Sequence, residues 1–158
     1  MSPLDHAEGD GRQLCTDTRT VMDENNGRVM QRAFDEIMEH GNVEAIDLLF
    51  ARDFTGHDTS GGTFGRDEFR EGVLAMLSAF SDRQVVLADQ VIAGDKVATR
   101  WQATGVHSGA FNGIPATGCH VNMTGISITR LAGGKIVETW EVTDDAGLLH
   151  QLGVVPSA

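Results

Sequence analysis

A chain of 158 residues with 41% hydrophobic side chains is sized for one domain around one core. Its 12 basic and 23 acidic side chains leave a net charge of −11, which repels phosphate backbones and anionic lipids and excludes both nucleic acid and membrane surfaces as partners. No run reaches the about 18 apolar residues of a membrane helix, and Met1 to Thr20 lacks the apolar stretch of a secretory signal, so a cytoplasmic location is expected.

Residues 1–26 mix Asp, Glu, Gly, Thr and Arg without apolar periodicity and read as a flexible leader to a single domain over 27–155. Val29, Met30, Ala33, Phe34, Ile37 and Met38 then recur at the spacing of one buried helical stripe, and Gly41 supplies a left-handed stop. Asn42 can cap a short second helix carrying Ile46, Leu49 and Phe50. A third helix begins near Gly65, with Phe69, Val73, Met76, Leu77 and Phe80 on one side. From Gln84 the pattern turns to β-branched alternation. Strands are expected over Val85 to Ile92, Val97 to His107, Cys119 to Leu131 and Ile136 to Thr143. Turns at Gly94-Asp95-Lys96 and Ala132-Gly133-Gly134-Lys135 and a Gly- and Pro-rich loop from Ser108 to Gly118 separate them. Helices first and an antiparallel meander second predict an α+β fold, with the helices on one side of the sheet.

Alternate residues of a strand share a face, which groups Thr99, Trp101, Ala103 and His107 on the second strand. The same parity groups Ile136, Glu138, Trp140, Val142 and Asp144 on the fourth. Each strand thus offers a tryptophan and an ionisable group at its end, the ingredients of acid/base catalysis at the rim of an apolar pocket. Each also has a plainer use, Asp144 as a helix cap and His107 as an anchor for the loop after it. His57 lies in a segment between two helices, where it is either a loop residue or a pocket residue, and Glu138 is expected to form a cross-strand ion pair with Arg100 or a Lys of a neighbouring strand. The six histidines show no metal-ligand spacing, and the glycine clusters match neither phosphate nor dinucleotide loops, so neither metal nor organic cofactor is expected. Cys15 and Cys119 build no disulfide framework, and Cys119 and His120, as strand neighbours, point apart.

Two blocks carry a resemblance. The stretch Thr104-Gly105-Val106-His107-Ser108-Gly109-Ala110-Phe111-Asn112-Gly113-Ile114-Pro115-Ala116-Thr117-Gly118 resembles the strand and loop signature of the SnoaL-like polyketide cyclases, or ester cyclases, of the nuclear transport factor two-like superfamily. Gly134-Lys135-Ile136-Val137-Glu138-Thr139-Trp140, followed by Asp144, Gly147-Leu148-Leu149 and Gln151-Leu152-Gly153, resembles their closing strand and tail. The resemblance implies a cone-shaped, curved antiparallel sheet wrapped around the N-terminal helices, with the pocket between them and a homo-oligomeric assembly. It implies a hydrophobic small-molecule substrate and a cofactor-free intramolecular aldol closure, with Asp144 as the acid/base group and His107 near it. His57, Trp101, Trp140, Phe111, Met123 and Glu138 are the expected substrate-binding residues. Other chemistries of the same fold are epoxide opening, cofactor-free hydroxylation and small-molecule binding without reaction.

Overall fold

The computed structural model describes residues 17–154. Helix α1 spans Thr18–Arg32 and continues without a break into a π-helical turn at Ala33–Glu39. The expected stripe is buried, with Ile37 fully covered and Met30, Ala33 and Phe34 nearly so, and Gly41 ends the helix at φ +72°. The helix starts earlier than the apolar pattern shows. Asp17 caps it through a bond accepted from the Arg19 backbone N–H. Asn26 and Gly27 then bury its middle without any apolar side chain, Asn26 donating to the Gly94 carbonyl at 2.9 Å. Residues 18–26 are therefore helix, while residues 1–16 of the expected leader, including Cys15, lie outside the described residues.

Helix α2 is short, Ala45–Leu49, and Asn42 receives the Ala45 N–H on its backbone carbonyl rather than capping with its side chain. Two expectations then need correction. Phe50 does not continue α2 but opens strand β1, Phe50–His57, so His57 is a strand residue and not part of a loop between helices. The strand is held by non-local pairing: it runs parallel to β6 (Lys135–Thr143), with Phe50 opposite Ile136 and His57 opposite Trp140. Two-residue β2, Thr63–Phe64, pairs with its end. Helix α3, Arg66–Ala79, is capped where Glu68 accepts the Gly65 N–H at 2.9 Å. Phe80 does not extend it but begins β3, Phe80–Ala93, four residues before the alternation becomes visible at Gln84, because Phe80 already pairs with His107.

Strands β4 (Lys96–His107) and β5 (His120–Ala132) complete a six-stranded curved sheet in the order β2-β1-β6-β5-β4-β3, antiparallel except for β1 against β6. Helix α4, Asp145–Gln151, closes the described chain. The helices pack into the inner face and build one core with it. In β5 alternation is strict, with Val121, Met123, Ser127, Thr129 and Leu131 inward.

In β6 alternation breaks. Leu131 pairs with Ile136, but the next residue of β5, Arg130, pairs with Glu138, so Val137 is an extra residue in a β-bulge. Beyond it every side chain changes face. Thr139 and Glu141, not Glu138 and Trp140, turn inward after Ile136, and the predicted grouping of Ile136 with Glu138, Trp140, Val142 and Asp144 does not hold. Trp140 is 38% exposed and Val142 61% exposed on the outer face.

Candidate functional site

The bulge decides what the inside of the sheet contains. Cross-strand pairing lines up three inward rows: Val97, Thr129 and Thr139; then Thr99, Ser127 and Glu141; then Trp101, Gly125 and Thr143. Trp101 lies flat across Gly125, whose missing side chain makes the space, since a Cβ there would sit 2.3 Å from the ring. A polar strip thus runs across an otherwise apolar inner wall. Thr129 and Thr139 satisfy each other through a 2.9 Å hydroxyl pair, whereas Thr99 Oγ1 and Trp101 Nε1 are buried with no partner.

This strip forms one wall of a cavity of about 110 Å³. The opposite walls are Met30, Phe34, Ile37, Phe69, Val73 and Met76 from the helices. Its volume is many times the ~10–15 Å³ that one water needs, yet small for a multi-ring molecule. Outside lies a groove of about 930 Å³, lined by His57, Asp58, Arg100, Ile126, Trp140, Val142, Thr143 and Asp144. Trp101 and Glu141 line both spaces, so the pair is the partition between cavity and groove.

Glu141 is the carboxyl of this wall. The residue as a whole is half-buried, but its carboxyl is sunk deeply enough that desolvation raises its pKa above the ordinary 4.5; the Trp101 indole N–H tempers the rise, although it makes no hydrogen bond of ordinary geometry, and nearby Asp145 adds to it. A raised carboxyl pKa costs stability, and only where the unfolded chain ionises. The cost is absent below pH 4.5, grows as pH rises through the folded value, and is constant above it. Glu141→Gln should therefore melt higher than the parent at pH 8, by about 3 °C or more, with the gain vanishing near pH 4. Thermal melts across that range check it, and a variant that melts lower at pH 8 would refute the burial argument.

The residues expected to act together are dispersed. Asp144 does not face the enclosed cavity: it is exposed, accepts the Gly147 N–H at 2.9 Å as N-cap of α4, and edges the groove. His107 is fully buried and its Nδ1 faces Thr117, 3.0 Å from the hydroxyl and 3.3 Å from the backbone N–H. With Nδ1 accepting, the proton sits on Nε2, which has no partner. His107 thus ties down the loop from Ser108 to Gly118, and it lines neither space. Trp101 lies inside as expected. Met123 and Phe111 sit apart from the main cavity, Met123 on a void of about 30 Å³ near Leu148 and Phe111 edge-on to Phe80 at 5.2 Å.

His57, Glu138 and Trp140 do come together, but on the outer side. His57 stacks on Trp140 at 5.1 Å and its Nε2 lies 2.9 Å from Glu138 Oε1, while Arg130 donates twice to Glu138 Oε2. Glu138 does form a cross-strand ion pair, but with Arg130 and not with Arg100, which faces Asp89 instead. The His57 hydrogen bond, then Arg130, hold the Glu138 carboxyl below its usual range. Among the described residues, no three His, Cys, Asp or Glu side chains come close enough to hold a metal ion.

The profile of the SnoaL-like polyketide cyclases matches residues 28–152. The chain belongs to this family. Similar solved structures include IdmH of Streptomyces antibioticus, a proposed polyketide cyclase, at 30% identity over 82% of this chain and 99% of that one, with a TM-score of 0.73. A proposed SnoaL-like polyketide cyclase from Jannaschia sp. CCS1 is 22% identical over 85% and 96%, TM-score 0.77. AclR of Streptomyces galilaeus, a proposed hydroxylase, is 23% identical over 86% and 85%, TM-score 0.78. No curated protein matches the sequence. As a member of the SnoaL-like polyketide cyclase family, the chain has an α+β fold with a curved sheet around its helices, and among its described residues no helix is long and apolar enough to cross a membrane. Glu141 was hidden from the sequence because Ile136-Val137-Glu138-Thr139-Trp140-Glu141 has no glycine or proline to mark the bulge.

Proposed function

We propose that this protein closes a ring in a polyketide-like substrate with several carbonyl groups, by cofactor-independent acid/base chemistry of the intramolecular aldol type. The observation that carries the reading is the partition. An apolar cavity and an open groove meet at Trp101 and Glu141, with the Asp144 carboxyl on the groove side. The cavity alone is small for a folded polyketide, so the substrate lies across the partition, its apolar end inside and its reacting carbons beside Asp144. Asp144 takes the proton from a carbon between two carbonyls, and apolar walls keep the chain folded and water scarce. His107 contributes by fixing the loop that follows β4. His57 and Trp140 offer a flat stacked surface for the part of the substrate in the groove. Turnover of synthetic polycarbonyl esters by the parent and by Asp144→Asn tests the reading, and equal turnover by both refutes it.

One observation favours a second reading. Asp144 is spent on a helix cap and His107 on a loop, an arrangement that also suits a protein that binds small molecules without changing them. Ligand recovered unchanged from a broad substrate panel would support that alternative. Hydroxylation or epoxide opening would show instead as an oxygen gained or a ring opened in the product.

The protein is also expected to self-associate through the outer face of the sheet. Val91, Ile126, Ile128, Trp140 and Val142 are exposed there in adjoining rows, the last four also lining the groove, so that a second copy would roof it over the substrate. The charges among them pair, Asp89 with Arg100 at 3.9 Å and Glu138 with Arg130 at 2.9 Å. The charges in the middle of this face thus cancel on a chain of charge −11, with Asp58 and Asp144 at its groove edge, which fits a second copy better than a charged partner. Sedimentation velocity should give a dimer or tetramer that Ile126→Asp dissociates, and a monomeric parent would disprove it.

A further inference from the structure

The inner wall holds more hydrogen-bonding capacity than the fold uses. Trp101 Nε1 and Thr99 Oγ1 are buried without partners. Thr99 shares its row with Ser127 and Glu141, and Trp101 stands in the next row, where it lines with Glu141 a cavity that is mostly apolar apart from Arg83 and the Ser127, Thr129 and Thr139 hydroxyls. In the neighbouring row the equivalent groups, Thr129 and Thr139, satisfy each other, so the strands can pair such groups when packing alone is at stake. An unpaired buried N–H is unfavourable and uncommon, and at a cavity wall it is available to an acceptor from outside.

Resting on the cyclase reading, we propose that the Glu141 carboxyl and the Trp101 indole N–H form a two-donor site for one carbonyl oxygen of the substrate, the oxygen that gains charge when the carbon beside it loses a proton. Burial favours the protonated carboxyl of Glu141, which donates where a carboxylate could only accept. Buried ligand, donor and carboxylic acid then form a short, water-poor hydrogen-bonded set, whose strength increases as negative charge develops on the oxygen. The step balances without oxidant or reductant. A base removes the proton, and the C–H electron pair moves through the new C=C bond onto the held oxygen. It returns to form the ring-closing C–C bond to a second carbonyl carbon, and that second oxygen takes up the proton. The site therefore selects substrates that present a carbonyl flanked by an acidic C–H to the inner wall, with apolar carbon beyond it. Glu141 is a catalytic residue in this scheme, and Gly125 is a positioning residue that leaves room for the indole.

A phenol whose colour reports its own ionisation, 4-nitrophenol, probes the site without any need for turnover. Bound to the parent protein it should ionise about tenfold more readily than in water, a shift of about one pH unit. Glu141→Leu and Trp101→Phe should each weaken phenolate binding by about tenfold or more, while Glu141→Gln, which keeps an N–H donor of nearly the same shape, should retain most of it. The infrared difference between parent and Glu141→Gln should keep the carbonyl band of a neutral carboxylic acid to a higher pH than an exposed glutamate does. Circular dichroism confirms the fold of each variant, and Glu141→Gln carries the test if Glu141→Leu does not fold. No binding by the parent, unchanged binding in both Glu141→Leu and Trp101→Phe, or a loss in Glu141→Gln equal to that in Glu141→Leu would overturn the donor pair. Because binding is read without catalysis, a cyclase reading that fails with Asp144→Asn would leave this result standing, and the reverse.

Discussion

Asp144→Asn should lower turnover of a polycarbonyl substrate by at least about 100-fold, within the range that a positioned acid/base group contributes. Its melting temperature should stay within about 2 °C of the parent, because asparagine caps helices as well as aspartate does. The separation of the two effects follows from the geometry. Asp144 Oδ1 accepts the Gly147 N–H at 2.9 Å, a task that an amide oxygen performs equally well, whereas an amide cannot take a proton from carbon. Gly147→Ala supplies the complementary case. A Cβ at position 147 would meet Asp144 Oδ2 at 2.1 Å, so the carboxyl must swing away from the helix end. That variant should lose turnover as well as some stability, since both the cap and the position of the carboxyl are disturbed. Measured kcat for the two variants, with melting curves beside them, distinguishes the roles. A fully active Asp144→Asn protein would leave Asp144 a cap and nothing more, and a Gly147→Ala protein with full activity would show that its capping position is irrelevant to the chemistry.

What the sequence made visible depended on whether local pattern or distant pairing decided each element. The stripe from Met30 to Ile37 and the parity of β4, which puts Thr99, Trp101 and His107 inside, are local and were readable. The start of α1 was not, because Asn26 and Gly27 bury a helix face with a carbonyl contact and a bare backbone instead of apolar side chains. Strand β1 was hidden for a related reason. Ala51, Arg52 and Asp53 interrupt any alternation, and a parallel partner more than eighty residues away along the chain, not the local sequence, makes it a strand. The site suffered most, since one extra residue at Val137 inverts the face of everything after it. Glu138 and Trp140, expected inside, meet His57 outside, and Glu141, with no expected role, becomes the carboxyl of the inner wall. His107 and Asp144, which the resemblance marks as catalytic, stand in the structure as a loop anchor and a helix cap.

The partition itself can be tested at its most constrained point. Gly125→Val adds a branched side chain where Trp101 Cζ2 lies 2.3 Å from the first added carbon, and the indole cannot stay. Valine favours strands more than glycine does, so backbone preference alone predicts a gain in stability, and any loss measures the collision. Overpacking of this kind costs about 1–3 kcal/mol, or about 2–12 °C in melting temperature for a chain of this size. The displaced ring must move into one of the two spaces it lines, the cavity or the groove, so small-molecule binding should fall at least about tenfold and the surroundings of the indole should change. The chain has two tryptophans, and in a Trp140→Phe background the fluorescence comes from Trp101 alone, so the emission on adding Gly125→Val reports the movement directly, shifting to the red if the ring enters the groove and changing in intensity if it fills the cavity. A more stable protein with unchanged emission and binding would mean that the indole does not lie across Gly125 in solution. The wall shared by cavity and groove would then have to be built by Glu141 without it.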